Sequence, residues 1–215
     1  MATPLLPDAP MSLPYQLFPA LFTPADCAEV RAYAQGRPGQ TGTVGYGGKQ
    51  TVHDMRRAEV RWLDVADEHL TTLVARFHKA LHRANANHWG LDWRAIMDLQ
   101  FSTYAAWNAG HYDWHRDDNP GAVHTRPFDR MLSVVLLLSP PAEFDGGSFQ
   151  VKAELDPQNV PLNQGDCVVF PSALLHRVTP VTQGVRHSLV SWAEGPRLPV
   201  PITKPEPVTK KGRKR

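Results

Sequence analysis

The sequence has few of the features that mark secreted or membrane proteins. It contains only two cysteines, Cys27 and Cys167, in 215 residues, and two cysteines do not make the disulfide framework of a small secreted domain. No run of about eighteen apolar residues occurs, so no transmembrane helix is predicted. The N-terminus also lacks the basic start and continuous apolar run of a signal peptide. These absences favour a cytoplasmic protein without a membrane partner.

Two common binding motifs are also missing. Residues 36–48 contain six glycines, but no Gly-Lys-Ser/Thr sequence follows them, so this loop does not match a nucleotide phosphate loop. The loop is equally typical of a lid over a site and of a plain flexible connection. His78 and His82 stand four residues apart on a predicted helix and would share one face. No third ligand accompanies them, and we interpret both as surface residues.

Positive charge is concentrated at the C-terminal end. Residues 195–215 contain seven Lys or Arg residues and one Glu, a net charge of +6, whereas the whole chain carries +2. Five prolines and no aromatic residue in this stretch predict a disordered basic tail. Its ending, KKGRKR, is of a kind that attracts nucleic acid or an acidic partner. A tail that only improves solubility has the same composition.

The first part of the chain predicts two helices and one clear strand. Thr23 is placed to cap a helix with Asp26 at the capping-box position, and Gly36 ends that helix. Residues 58–63 alternate as a strand, and an apolar stripe with helical spacing follows over 66–84. These elements are predicted to support a sheet formed by later residues.

From residue 97 onward the chain is rich in short strands separated by turn-forming sequences. Short strands at regular spacing indicate a double-sheet jelly roll. We therefore predict a mainly β fold with flanking helices (α+β), in which a jelly-roll core packs against the N-terminal helices. The predicted strands are 97–104, 130–139, 148–152, 166–170, 176–181 and 185–192.

The chain is predicted to form one domain with appendages, because 215 residues are enough to bury a sizeable core. Residues 1–94 comprise an N-terminal extended segment, the helices and the glycine-rich loop, which support the core. Residues 95–194 form the core itself. Residues 195–215 form the basic tail.

Metal-binding side chains are densest in one stretch, Tyr104 to Asp118. In an extended segment side chains alternate faces, so a His-x-Asp pair projects both groups to the same side. His115 with Asp117 fits this pattern, and so does His111 with Asp113. Alternation alone does not choose between the two pairs.

A third ligand must come from elsewhere, and His176 in a later predicted strand is the best candidate. Two histidines and one carboxylate leave open positions on an octahedral metal, which suits iron(II) enzymes that bind a cosubstrate and oxygen together. Zinc would favour a tetrahedral site that is closed or holds a single water. The remaining nearby carboxylates, Asp118 and Asp129, are interpreted as capping or solvated groups.

A cosubstrate site is suggested by Arg186 and Ser188, which lie on one face of the last predicted strand. An arginine fork binds a carboxylate through two parallel charge-assisted hydrogen bonds. The distal end of a dicarboxylic acid would fit such a residue. 2-Oxoglutarate is the obvious candidate.

Taken together, these residues resemble the iron(II)/2-oxoglutarate oxygenases, and most closely their prolyl 4-hydroxylase-like branch. The match covers about residues 95–194. Animal prolyl 4-hydroxylases usually have Lys where this chain has Arg186, and many bacterial relatives have Arg. The matching residues are Gln100 to Tyr104, Gly110, Tyr112, His115, Asp117, Gly146, Gly147, Phe149, Gly165, Asp166, Phe170, Pro171, His176, Gly184, Arg186 and Ser188.

The resemblance implies a double-stranded β-helix and a set of site residues. The family pattern Tyr-x-x-His-x-Asp selects His115 and Asp117, with His176, as the metal ligands. It assigns Arg186 to the distal carboxylate of 2-oxoglutarate, with Tyr104 as a hydrogen-bonding neighbour. Ser188 is a further candidate for that role.

The resemblance also implies cofactors and an activity. The cofactors would be Fe(II), 2-oxoglutarate and O2, with ascorbate as a stimulant. The expected reaction is hydroxylation of an unactivated C–H bond, with release of succinate and CO2. A peptidyl residue, in the manner of a prolyl 4-hydroxylase, is the first substrate interpretation, and a free amino acid or other small metabolite is the second. A metal-binding jelly roll that serves only as an interaction module is the alternative from another class.

Overall fold

The computed structural model describes residues 14–44, 54–118 and 127–196. The start of the predicted extended segment, part of the glycine-rich loop and nearly all of the basic tail lie outside these ranges. Two helices are present, α1 (Pro24–Gln35) and α2 (Thr71–His88). The strands are β1 (Gln16–Phe18), β2 (Gln40–Thr41), β3 (Arg56–Arg57), β4 (Glu59–Leu63), β5 (Ala95–Ile96), β6 (Leu99–Ala105), β7 (His111–His115), β8 (Phe128–Leu137), β9 (Phe144–Gly146), β10 (Phe149–Lys152), β11 (Gln158–Asn159), β12 (Cys167–Pro171), β13 (Leu175–Val178) and β14 (Val181–Pro196).

The strands form two antiparallel sheets, as in a jelly roll. The larger sheet has the order β1-β12-β8-β14-β6-β4-β2, with β5 and β9 also paired to β14. The smaller sheet has the order β11-β10-β13-β7-β3. Both sheets thus include strands from the first 94 residues, and the predicted boundary between residues 94 and 95 stays a prediction.

The α1 helix begins and ends where the sequence predicts. The Thr23 side chain accepts a hydrogen bond from the Asp26 backbone N–H at 3.1 Å, and the Asp26 carboxylate accepts one from the Thr23 N–H at 2.8 Å. This reciprocal capping box satisfies two backbone donors that the first helical turn leaves without partners. The helix ends before Gly36.

The second helix is shifted relative to its prediction of 66–84. A short 3₁₀ turn, Glu68–Leu70, precedes α2, because the Asp67 side chain caps the backbone N–H of His69. The helix then continues to His88. Its buried residues, which include Phe77 and Leu81, retain the predicted helical spacing.

One predicted strand, 176–181, is divided between two sheets. Pro180 separates β13 from β14, and proline lacks the backbone N–H that a continuous ladder needs. β13 belongs to the smaller sheet, whereas β14 lies in the larger sheet between β8 and β6. The other five strands predicted after residue 96 are present with shifted ends.

Alternation along the strands of the larger sheet divides the core into two layers. Leu132, Val134 and Leu136 of β8 pack outward with the helices, together with Phe77. Val135, between them, packs inward against the smaller sheet. This arrangement confirms the predicted mainly β fold with a jelly-roll core against N-terminal helices.

Neither helix in the described part of the chain is long and apolar enough to cross a membrane. Cys27 and Cys167 are both buried and free.

Candidate active site

Three side chains with metal-binding atoms meet between the two sheets. β7 ends at His115, which lies opposite His176 of β13 in the antiparallel register. Asp117 follows β7, and its backbone N–H donates to the Ser172 carbonyl at 2.8 Å. The His115 Nε2 lies 3.8 Å from the Asp117 Oδ1, and the His176 Nε2 lies 3.5 Å from its Oδ2. One ligand atom from each side chain therefore faces a common point, and all lie within 4.8 Å of one another.

A β-bulge decides which side chains of β7 face this point. Along β7 and β13, His115 pairs with His176 and Tyr112 pairs with Val178. The three residue steps from Tyr112 to His115 on β7 therefore match only two steps on β13. The extra residue reverses the alternation. Tyr112 and His115 consequently share the inner face, where their rings stack with centroids 3.4 Å apart.

The rival pair, His111 and Asp113, is excluded from the site by the same bulge. The His111 Nδ1 bonds to the Ala109 carbonyl at 2.8 Å, and its Nε2 bonds to the Asp54 carbonyl at 3.1 Å. Asp113 lies 3.8 Å from Arg177. Both ring nitrogens of His111 are therefore occupied by backbone oxygens.

Backbone carbonyls orient the two inward histidines. The His115 Nδ1 lies 2.7 Å from the Asp113 carbonyl, and the His176 Nδ1 lies 2.9 Å from the Leu174 carbonyl. A carbonyl only accepts, so each Nδ1 carries the proton and donates it. The Nε2 atoms are left with the lone pairs that bind a metal.

The charges of these groups suit metal binding. Burial lowers the pKa of His115 to about 3, and the neighbouring His176 lowers it further, although Asp117 opposes the shift. Burial raises the pKa of Asp117, but His176, His115 and Arg130 together outweigh that effect and lower it to about 2. A neutral imidazole and an ionised carboxylate are the forms that bind a metal.

Asp117 is held by a hydroxyl that the sequence did not indicate. The Ser133 Oγ donates to the Asp117 Oδ2 at 2.6 Å and lies 3.0 Å from the Ser172 Oγ. Ser133 is fully buried in β8. Its spacing from Asp117 carries no motif, so only the pairing of β8 with β12 brings it to the site.

Replacing Ser133 by alanine should weaken metal binding about 10- to 100-fold, because a hydrogen-bonded neighbour that orients a ligand typically contributes that much. Titration of the apoprotein with Co(II), followed by its visible absorption, measures the affinity. Ser191→Ala is the matched control, since Ser191 is also fully buried and its Oγ donates to the Met97 carbonyl instead. Equal affinities in the two variants would contradict the role of Ser133.

Arg186 lies inside the cavity, and no charged side chain in the described ranges forms an ion pair with it. It is 1% exposed, and its Nη1 is buried with no hydrogen-bond partner in the described residues. Burial lowers its pKa to about 10, against a raising effect of Tyr104, so it remains charged at neutral pH. A buried cation without an acceptor is costly. The site therefore suits a ligand that brings a carboxylate.

The other two predicted site residues line the same cavity, which has a volume of about 490 Å³. Tyr104 of β6 lies opposite Arg186 of β14 in the register, and its ring centroid is 5.7 Å from the Arg186 Cζ. Ser188 is two residues along the same strand and is 2% exposed. The structure thus brings all six predicted residues to one cavity. Their roles stay predictions.

The remaining sequence candidates lie elsewhere. Asp118 pairs with Arg116 at 2.6 Å, and the Asp129 carboxylate accepts from the Arg130 backbone N–H. His78 and His82 pack against the Trp93 ring. In the described ranges, no second group of three metal-binding side chains was found.

Comparison with known proteins matches the cavity-forming part of the chain to one family. The model of the 2OG-Fe(II) oxygenase superfamily matches residues 99–194. A PKHD-type hydroxylase of Acidovorax ebreus is 40% identical over 105 residues, which are 47% of this chain and 44% of that protein. A PKHD-type hydroxylase of Bordetella pertussis is 32% identical over 183 residues, which are 81% of this chain and 75% of that protein. The first relative is thus matched over less than half of its length.

Solved structures share the fold at low sequence identity. A prolyl-4-hydroxylase of Pseudomonas putida superposes with a TM-score of 0.65 and 20% identity over 84% of this chain and 91% of that chain. A prolyl hydroxylase of Trichoplax adhaerens, in complex with a hypoxia inducible factor oxygen degradation domain peptide fragment, gives 0.68 and 16% over 84% and 83%.

Proposed function

Because the chain belongs to the 2OG-Fe(II) oxygenase superfamily, we propose that it hydroxylates an unactivated C–H bond with Fe(II), 2-oxoglutarate and O2. The observation that carries this proposal is the meeting of two kinds of group in one cavity. The first is a set of two histidines and one carboxylate with ligand atoms within 4.8 Å of one another. The second is the buried Arg186, whose Nη1 has no partner among the described residues.

The residues present fit the implied cofactors. His115, Asp117 and His176 would hold the metal, and two imidazoles with one carboxylate are the donor set of non-haem iron(II) oxygenases. Arg186 would bind the distal carboxylate of 2-oxoglutarate. When bound, iron and 2-oxoglutarate supply the oxidising power that inserts oxygen into C–H, with release of succinate and CO2.

The chain itself supplies position, charge and shelter. The carbonyls of Asp113 and Leu174 fix the imidazole planes and keep each proton on Nδ1. Ser133 fixes the Asp117 carboxylate. The surrounding walls leave the ligand side chains 12% exposed or less, which limits the entry of water and the loss of oxidant in side reactions.

A peptidyl substrate, with proline as the first candidate residue, is supported by the relatives. The structural neighbours include prolyl hydroxylases, one of them in complex with a peptide fragment. The cavity opens beside Trp62, which is 45% exposed and offers an apolar surface next to the site. Contact of the basic tail with an acidic partner or nucleic acid stays a prediction.

An anaerobic titration of the apoprotein with Fe(II) and then 2-oxoglutarate tests the cofactor assignment. A visible charge-transfer band from the chelate is expected, and succinate release in air then screens candidate substrates. If the folded protein gives no band, the chain is a metal-binding or interaction module and not an oxygenase.

Gly147→Ala should impair the cosubstrate site through Arg186. Gly147 has φ +57°, and a Cβ there would lie 2.8 Å from the Arg186 Cδ. The left-handed backbone costs an alanine about 1–2 kcal/mol, and the contact displaces the arginine. We expect a several-fold higher requirement for 2-oxoglutarate in succinate assays.

Gly90→Ala is the control for this variant. Gly90 has φ +61°, and a Cβ there would meet nothing within 4 Å. It should lower the melting temperature through the backbone strain alone and leave the 2-oxoglutarate requirement unchanged. The same requirement in both alanine variants would argue against an effect on Arg186.

A further inference from the structure

Two further arginines face the same cavity as the metal-binding triad. Arg56 of β3 is 5% exposed, and its Nε and Nη2 are buried without hydrogen-bond partners in the described part of the chain, while its Nη1 donates to the Thr43 carbonyl at 3.0 Å. The Nε of Arg130 in β8 is also buried, and no described residue accepts a hydrogen bond from it. Buried charged donors of this kind are costly unless a ligand supplies the acceptor.

Both guanidinium groups lie over aromatic rings. The Arg56 Cζ lies 4.5 Å from the Tyr112 ring centroid, and the Arg130 Cζ lies 3.6 Å from that of Trp192. When an arginine lies over an aromatic face, the N–H groups around the edge of its guanidinium stay available to bind a ligand. The donors are thus oriented before a ligand arrives, which reduces the entropy lost on binding.

The charges of the cavity do not balance without an anion. Its charged lining side chains are Asp117 and three arginines, Arg56, Arg130 and Arg186. None of these arginines makes an ion pair with a described residue. Glu194 lies opposite Arg130 in the strand register but is not a lining group. Iron(II) and 2-oxoglutarate would bring equal and opposite charges, and Asp117 offsets one arginine. Two positive charges remain, on the side of Arg56 and Arg130.

These charges act close to the metal-binding residues. Arg56 lies over the Tyr112 ring, and Arg130 lines the same cavity as His115 and Asp117. Tyr112 in turn stacks on His115. The Arg56 guanidinium is therefore separated by one ring from a predicted metal ligand.

We propose that Arg56 and Arg130 form a subsite for a carboxylate of the substrate, so that the enzyme selects molecules with an acidic group near the carbon that is hydroxylated. This inference rests on the proposed function and names its substrate class. The Trp62 and Trp192 rings, 6.1 Å apart, supply an apolar wall for the rest of the substrate. The carboxylate belongs to an acidic side chain of a peptide or to a free carboxyl terminus.

Four peptides test the subsite, with protein loaded with Ni(II) and 2-oxoglutarate so that no turnover occurs. One is acetylated and amidated and has a proline between pairs of glutamates; the second has glutamines in their place. The third and fourth peptides have glutamines followed by a C-terminal proline. They differ only at the C-terminus, which is a free carboxylate in the third and an amide in the fourth. Quenching of tryptophan fluorescence gives each affinity.

The glutamate peptide, or the free-acid peptide, should bind about 10- to 100-fold more tightly than its neutral counterpart, as expected for charge-assisted hydrogen bonds to a sheltered arginine. The first result assigns the carboxylate to a side chain and the second to a chain terminus. Equal binding of each charged peptide and its neutral counterpart would overturn the subsite.

Substitution localises the preference. Arg56→Gln and Arg130→Gln should each remove most of it, whereas Arg57→Gln, which alters the same charge one residue along β3, should retain it. A preference that survives both cavity substitutions would also overturn the proposal. The iron and 2-oxoglutarate absorption band of the same proteins separates the two questions: its absence defeats the proposed function, whereas a normal band with no preference for charge defeats only this inference.

Discussion

Replacing His176 by alanine is expected to abolish iron binding and turnover while leaving the fold intact. The side chain would supply one of the three predicted ligand atoms, and its Nε2 lies 3.5 Å from the Asp117 Oδ2. The loss should exceed the roughly 10- to 100-fold that follows removal of a neighbour that only orients a ligand. Anaerobic iron titration and succinate release measure it, and circular dichroism checks the fold.

His111→Ala is the control for that experiment, because it removes a histidine of β7 whose ring nitrogens both bond to backbone carbonyls. It should retain iron binding and turnover. Loss of iron binding in His111→Ala would favour the rival pair of His111 and Asp113, and activity retained in His176→Ala would remove His176 from the ligands.

Arg186→Ala should raise the 2-oxoglutarate concentration needed for half-maximal turnover by at least about 100-fold. Leaving one member of a buried ion pair without its partner typically costs 3–5 kcal/mol, and Arg186 is 1% exposed. Iron binding in the absence of 2-oxoglutarate should change little, since Arg186 is not among the grouped ligands.

Arg177→Ala provides the comparison for Arg186. Arg177 lies one residue after His176, but its guanidinium stacks on Trp114 and its Nε donates to Gln150, on the opposite face of β13. Its loss should leave the 2-oxoglutarate requirement unchanged. An unaltered requirement in Arg186→Ala as well would remove Arg186 from the cosubstrate site.

Local rules predicted those parts of the fold that local interactions determine. The α1 helix has its capping box in four consecutive residues, and the strand 58–63 has its alternation in six, so the sequence was sufficient for both. The division of 176–181 at Pro180 was missed, because the strand pattern continues through that residue while the ladder does not. The start of α2 was misplaced for a similar reason, since Asp67 caps a 3₁₀ turn first.

The candidate site was predictable only in part from residue spacing. Strict alternation placed His111, Asp113, His115 and Asp117 on one face, and only the family resemblance selected the second pair. The structure shows the reason, which is the bulge between Tyr112 and His115. The contact of Ser133 with Asp117 and the stacking of Arg130 on Trp192 depend on pairing between distant strands, which no local pattern contains.

The pairing of His115 with His176 also links the metal to the stability of the smaller sheet. A slip of β13 by one residue against β7 would turn His176 to the opposite face, so a metal that needs both imidazoles binds one register and not the other. Binding of this kind stabilises the correctly paired sheet by an amount that rises with the logarithm of the free metal concentration above the dissociation constant. The ion would then stabilise the correct alignment of β7 and β13 as well as serve as a cofactor. Removal of iron should therefore lower the melting temperature of the protein even without substrate.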